Sequence, residues 1–400
     1  MHQRYTLVII LALLGGISWL AGCVEPYAPK TLTAPNNYLV VDGRINSPGT
    51  TTIQLTRSIN IADKKATPVE SRAKVFIEVE NGARYPLTEG VPGTYTSGYL
   101  RFDAGKRVRL RFTTAAQRDY ASDYTEIKNT PAIDAVSWEV VQQGANPGVR
   151  LFVDTHDETG AARYYRWEYE ETWAFTSSHR SYYKYENKKI VPRTEDIYHC
   201  WGNEPSSAIK LFSTLKLQQD RVSHYQLLAL PSTSKKLQNK YSILVKQYAL
   251  TAEEYAYWDQ LRKNTETLGT LYDPLPSQSV GNIHCLTDPD EPVLGFVGAQ
   301  SMTQQRIFID YGQLPRTWVY ITGYESCFPA GQMPLDKGEY PKNTYPTPEQ
   351  VIDFFRGGLF IPIEDLQQDP DSKDRIYTYQ SADCVDCRRR GSNIKPSFWP

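Results

Sequence analysis

In Arg107–Thr113 every second side chain is apolar, with Val108, Leu110 and Phe112 alternating against Arg107, Arg109 and Arg111. A period of two places the two sets on opposite faces of an extended strand, one face for a core and one for water. Thr51–Thr56 alternates in the same way after the turn at Ser47-Pro48-Gly49, which makes Tyr38–Thr56 a hairpin. Lys74–Glu80 and Gly93–Thr96 read as further strands, with Asn81-Gly82 as a tight hairpin turn. Short strands at this spacing predict an immunoglobulin-like β-sandwich over residues 38–130, bounded at Asn129-Thr130-Pro131.

A larger β-rich domain is expected over residues 131–400. Val136–Val141 and Val149–Val153 read as paired strands about Gly144–Gly148. In Ala162–Phe175 the rings of Tyr165, Trp167 and Tyr169 share one face, continued by Trp173 and Phe175, which reads as a core-facing strand. Ala208–Leu215, Val222–Leu230, Tyr241–Tyr248, Arg306–Asp310 and Thr317–Thr322 continue the strand pattern. One helix is expected over Thr251–Leu268. Thr251 caps it, Glu254 reaches back in a capping box, Tyr255, Trp258, Leu261 and Leu268 form its apolar stripe, and Gly269 stops it. A shorter helix should begin at Thr347-Pro348-Glu349-Gln350, with proline in the first turn. The expected fold is therefore mainly β, an immunoglobulin-like sandwich followed by a β-rich domain with one or two helices.

Residues 1–22 stand apart. Arg4 precedes an apolar run from Leu7 to Leu14, and small residues lead to Leu20-Ala21-Gly22-Cys23, the build of a secretory signal. Leu7–Ala21 falls short of the ~20 apolar residues that span a bilayer. The ending resembles the bacterial lipobox, which implies that the Cys23 thiol takes a lipid and that the mature chain starts there. Residues 23–37, with Pro26, Pro29 and Pro35, are expected to form a tether to the membrane surface. A formal charge of -1 lacks the electrostatic footprint of a nucleic-acid binder, and none is expected as a partner. The 28 tyrosines suit half-buried strands and ligand surfaces alike, so they favour β structure without separating scaffold from site.

Beyond Cys23 five cysteines remain, and five cannot all pair. An extracytoplasmic address permits disulfides. Cys200, Cys327, Cys384 and Cys387 are the candidates, with Cys384 or Cys387 closing a long loop back to Cys327 or Cys200. Cys384-x-x-Cys387 could also be a redox pair or half a zinc site. The first wants a helix start in a βαβ unit and the second two more ligands, and the polar tail offers neither.

Several segments in order carry a wider resemblance: Tyr38-Leu39-Val40-Val41-Asp42-Gly43, Cys200-Trp201, the helix at Thr251–Leu268, Gly281-Asn282-Ile283, Val293-Leu294-Gly295-Phe296 and Arg306-Ile307-Phe308-Ile309. Cys384-Val385-Asp386-Cys387-Arg388 and Lys395-Pro396-Ser397-Phe398-Trp399 complete the set. Together they resemble the domain-of-unknown-function 4249 lipoproteins of Bacteroidota. The resemblance implies an outer-membrane lipoprotein accompanying a TonB-dependent transporter in substrate capture. It leaves Cys285 outside the pattern as the odd thiol. Val24-Glu25-Pro26, after the lipid cysteine, has one acid and does not assign the periplasmic or the extracellular face.

His199-Cys200 and His284-Cys285 could each offer soft metal ligands, but neighbours on a strand point to opposite faces, so no metal or other cofactor is expected. Asp288-Pro289-Asp290-Glu291 lacks the alternation and glycine of a calcium loop. Tyr182, Tyr183 and Tyr185, in the polar stretch His179–Lys189, form a candidate contact surface. Gly-x-Ser-x-Gly, His-Glu-x-x-His and phosphate-cradling loops are missing from the sequence. The expectation is a non-enzymatic, lipid-anchored accessory protein with an unassigned small-molecule or glycan ligand. A glycan-binding adhesin is the alternative, and an extracytoplasmic hydrolase a third reading.

Overall fold

The computed structural model describes residues 37–59, 66–266, 281–335, 339, 341, 344–367 and 374–400. The leader, Cys23, most of the tether and the expected helix stop at Leu268-Gly269 lie outside the described residues. The protein is mainly β, as its alternating patterns require.

Strands β1 (Leu39–Asn46) and β2 (Gly49–Arg57) form the expected first hairpin. They are followed by β3 (Lys74–Val79), β4 (Arg84–Glu89), β5 (Thr94–Leu100), β6 (Arg107–Thr113), β7 (Asp119–Ser122) and β8 (Thr125–Glu126). In β6 the apolar set Val108, Leu110 and Phe112 is fully buried, and the arginines point outward. Two of them, Arg109 and Arg111, converge with Arg84 on the buried carboxylate of Glu78.

The chain continues with β9 (Ile133–Val141), β10 (Gly148–His156), β11 (Tyr164–Thr176), the hairpin β12 (Tyr183–Glu186) and β13 (Lys189–Pro192), β14 (His199–Pro205), β15 (Lys210–Ser213), β16 (Arg221–Pro231) and β17 (Lys240–Ala249). Helix α1 (Ala252–Glu266) follows. The chain then gives three short strands, β18 (Ile283–Cys285), β19 (Val293–Leu294) and β20 (Ala299–Gln300), before the long β21 (Met302–Asp310). It ends with β22 (Gly331–Met333), α2 (Pro348–Phe354), β23 (Phe360–Asp365), β24 (Tyr377–Ser381) and α3 (Ala382–Val385). No described helix is long and apolar enough to cross a membrane.

The first body differs from expectation in two ways. Its strands form one continuous sheet in the order β18-β7-β6-β3-β4-β5-β2-β1-β19, nearly closed on itself. The pairing does not divide into the two facing sheets of the immunoglobulin-like sandwich expected for 38–130. The division at residue 130 is also crossed, because β18 pairs with β7, and β19 and β20 pair with β1. The physical reason is that the outer backbone groups of β1 and β7 need partners. Ile283, Val293, Val297 and Ala299 bring apolar side chains into the same core while supplying them.

The second body keeps two sheets around one core. One runs β14-β11-β17-β21 with β15 also on β11, and the other runs β16-β10-β9. Tyr165, Trp167 and Tyr169 face inward as predicted and meet Val149, Leu151, Ile243 and Val245. Trp167 donates its indole N–H to Gln247 at 2.8 Å. The Gln247 amide in turn donates to Thr155 and to the Pro131 carbonyl, both at 3.0 Å, so a buried polar side chain is satisfied three times.

Thr317–Thr322 is not the strand its alternation suggests. A turn at Pro315 opens it, Val319 and Ile321 are exposed, and a single bridge joins Ile321 to Ser234. Trp318 and Tyr320 pack on the core, so the pattern is real, but among the described residues no strand offers it a ladder. Helix α2 begins as predicted: Thr347 accepts from the Gln350 N–H and Gln350 reaches back to the Thr347 N–H.

Two disulfides fasten the end of the chain to the second body. Cys200 pairs with Cys387 and Cys327 with Cys384, leaving Cys285 as a buried thiol. Beyond them Trp399 is buried edge-on against Phe308 and Trp201, and Arg306 stacks on Phe398.

Candidate functional site

Helix α1 lies where the two bodies meet, and the residues around it form a large cleft. Thr251 caps the helix, accepting from the Glu254 N–H at 3.2 Å. Glu254 does not complete the expected capping box. Its carboxylate is buried instead, accepting from Trp258 Nε1 at 3.4 Å and from Gln300 Nε2, on β20, at 3.3 Å. Gly298 makes this possible, since a Cβ there would sit 2.1 Å from Glu254 Oε2.

A ladder of charge continues from Glu254 into both bodies. Arg166 stacks on the Trp258 ring at 3.6 Å and pairs with Glu168 at 2.7 Å. Glu168 also takes Arg44 of β1 and the Tyr248 hydroxyl, each at 3.0 Å. Arg44 lies 3.9 Å over the Tyr248 ring. Helix, first body and second body are thus joined by one polar network, buried at Glu254 and half-buried at Arg44 and Glu168, in which losing a single member strands its partners.

Burial pushes the Glu254 carboxyl above its ordinary value of 4.5, with Arg166 opposing. Burial acts likewise on Glu168, but the charges of Arg166 and Arg44 and the Tyr248 hydrogen bond bring it below 4.5. The two acids act on stability in adjoining pH windows. From 4.5 up to the raised value, the folded chain keeps a proton on Glu254 that the unfolded chain has released, so stability falls as pH rises. The contribution of ionised Glu168 is present above 4.5 and is lost as pH falls through its lowered value. Glu254→Gln is expected to flatten the upper limb and leave the lower one in place. One proton held by the folded chain alone gives that limb a slope of at most about 1.4 kcal/mol per pH unit. Denaturation midpoints across pH measure this, and an upper limb unchanged in the variant contradicts it.

On one side of α1 the cleft has a volume of about 760 Å³, and on the other a second cavity of about 410 Å³. Tyr257 of α1 and Phe296 border both, with ring centroids 5.3 Å apart. Tyr124 and Tyr164 add rings to the larger cleft, and both are half-buried. Its charged groups are largely matched nearby: Arg107 with Glu80 at 2.9 Å, Lys128 with Glu126 at 3.0 Å, and Asp123 with His284 at 3.2 Å. Asn282 holds the wall beneath by gripping Val297 from both sides of its peptide, at 3.0 Å and 2.9 Å.

The residues singled out in the sequence lie elsewhere. The four candidate cysteines are structural cystines, and none of them lines this cleft. Tyr182 is 49% exposed, whereas Tyr183 and Tyr185 are half-buried against a small cluster with Val351, Phe355 and Tyr377. The two His-Cys dipeptides split across their strands. His199 and His284 sit outside on Asp196 and Asp123, while Cys200 and Cys285 are buried. Among the described residues no group of three or more His, Cys, Asp or Glu side chains converges on a metal position.

Two segments that carry the resemblance do border the clefts, Gly281-Asn282-Ile283 and Val293-Leu294-Gly295-Phe296. The two family segments around Gly281 and Gly295 are where the backbones close beside the cleft. A Cβ on Gly281 would meet the Gly295 carbonyl oxygen at 1.9 Å, and one on Gly295 would meet that of Val41 at 2.1 Å. The family model described as "Domain of unknown function (DUF4249)" matches residues 24–306, more than half of the chain. The chain belongs to this family. No curated protein matches it. The DUF4249 match spans both bodies and the α1 cleft but ends at residue 306. The Cys384–Arg388 and Lys395–Trp399 segments that contribute to the resemblance therefore lie beyond it. In this DUF4249 protein the two glycines are packing requirements of the first body where it borders the clefts.

Proposed function

We propose that this DUF4249 protein is a non-enzymatic binding protein, anchored to the outer membrane by a lipid on Cys23, that works beside a TonB-dependent transporter in capturing or admitting its substrate. The observation that carries the binding role is the cleft of about 760 Å³ at the junction of the bodies, a size suited to a small ligand. Supporting the address are the Leu20-Ala21-Gly22-Cys23 ending and two disulfides, which last in an oxidising compartment. The transporter partnership rests on the resemblance to lipoproteins of that kind.

The lipid anchor and the partnership are tested together. Wild-type protein should partition with outer membranes, carry acyl chains on Cys23 by mass spectrometry, and co-purify with a TonB-dependent transporter after mild crosslinking. Cys23→Ser should leave the leader uncleaved and abolish acylation. An acylated protein that repeatedly recovers no transporter refutes the partnership, and an unacylated wild-type chain refutes the anchor.

A further inference from the structure

The wall chemistry of the larger cleft narrows the ligand. Most of its charged groups already meet close partners, with Lys128 on Glu126, Arg107 on Glu80, Asp123 on His284 and Arg163 on the Gly160 carbonyl, which leaves Glu253 exposed on the wall. An anionic ligand would have to break those pairs to find a cation and would face the Glu253 carboxylate, while a cationic one would find that single exposed acid, a contact worth ~0–1 kcal/mol in water. A purely apolar ligand would strand the same polar groups against a dry surface. What remains is a ligand that is neutral overall, rich in hydroxyls that donate and accept, and equipped with flat C–H faces.

The rings provide for those faces. Tyr257 and Phe296 stand side by side between the two cavities, and Tyr124 and Tyr164 border the larger one while still half-open to it. Aromatic faces carry negative charge at their centres and take the polarised C–H bonds of a sugar ring. Glu253, exposed in the first turn of α1 on the wall of the cleft, offers acceptors for adjacent hydroxyls. A volume of about 760 Å³ holds a short oligosaccharide in whole or in part.

We propose that the cleft beside α1 binds a neutral glycan, stacked on Tyr257 and Phe296 and hydrogen-bonded at its rim by groups that include Glu253. This rests on reading the chain as a binding protein and specifies what it binds. The hydroxyl-and-face chemistry is shared by many sugars, and the geometry selects the class rather than a particular one.

The test is titration of the full lipidated protein in detergent, followed by intrinsic fluorescence and calorimetry. The probes are maltotetraose, cellotetraose, xylotetraose, mannotetraose and chitotetraose, with tetragalacturonate and tetra-alanine as charged and zwitterionic comparisons. At least one neutral oligosaccharide should saturate, with an affinity insensitive to salt. Tyr257→Ala should weaken it about tenfold, the loss of one good aromatic contact, ~1.4 kcal/mol. Glu253→Ala, an exposed change that leaves packing untouched, should weaken it at least about threefold through a lost charged acceptor. No saturation by any neutral sugar, binding of only the uronate or the peptide, or binding unaffected by both variants would overturn the proposal. Transporter co-purification is read separately. Its success with no sugar binding removes the ligand class alone, and sugar binding without a transporter removes the partnership alone.

Discussion

Gly295→Ala is expected to destabilise the native fold severely. Gly295 adopts φ +122°, outside the range of L side chains, and its would-be Cβ falls 2.1 Å from the carbonyl oxygen of Val41. Relief by movement is blocked on the other side, where Gly281 packs against the Gly295 carbonyl with no room for a Cβ of its own. The obstruction is backbone on both sides, and Val41 is buried in β1, so no flexible side chain can swing away. Strained φ costs about 1–3 kcal/mol and overpacking a closed contact about as much again. Together they remove a large part of the ~5–15 kcal/mol that holds a typical domain. Soluble yield and thermal melting by circular dichroism measure this. Gly98→Ala serves as control, because Gly98 is exposed and a Cβ there meets nothing within 4 Å. A Gly295→Ala protein that melts within a few degrees of wild type would show that the packing at this junction is looser than its geometry.

Removing the Cys200–Cys387 bridge by paired serine substitution is expected to be the second most damaging change. The bridge closes 187 residues, against 57 for Cys327–Cys384. Chain entropy assigns about 5 kcal/mol to the longer loop and about 4 kcal/mol to the shorter, with measured values often lower. The difference in consequence is larger than the difference in entropy. Cys387 also brings Gly391 and Ser392 onto β14, where Ser392 bridges Trp201, and positions Trp399 against Phe308. Loss of the long bridge should therefore release the last residues to protease at temperatures where both bodies remain folded. Limited proteolysis with mass mapping reads this. Equal protection of the tail in both double variants would contradict it.

Much of the fold was legible because the signals are local. Val108, Leu110 and Phe112 declare a strand within seven residues, and Tyr165, Trp167 and Tyr169 do so again. Closure of the first sheet was not legible, since β18, β19 and β20 are two or three residues each and pair with strands far away in sequence. The capping box at Thr251 was half right. The local rule predicted Glu254 correctly as a partner of the helix end, but Gln300 and Trp258 offered it a buried position instead. The polar hairpin at 183–192 hid its inner face because its partners Val351, Phe355 and Tyr377 come more than 150 residues later. Nothing in the sequence marked the cleft, since its walls are gathered from β6 through Phe296.

A chain made from its front end presents β1 and β7 long before the ribbon 283–300 that covers them. Until that ribbon arrives the first sheet is an unzipped garment, with two raw hems able to stitch to a neighbouring copy. A domain complete in its first 130 residues would pass through no such interval.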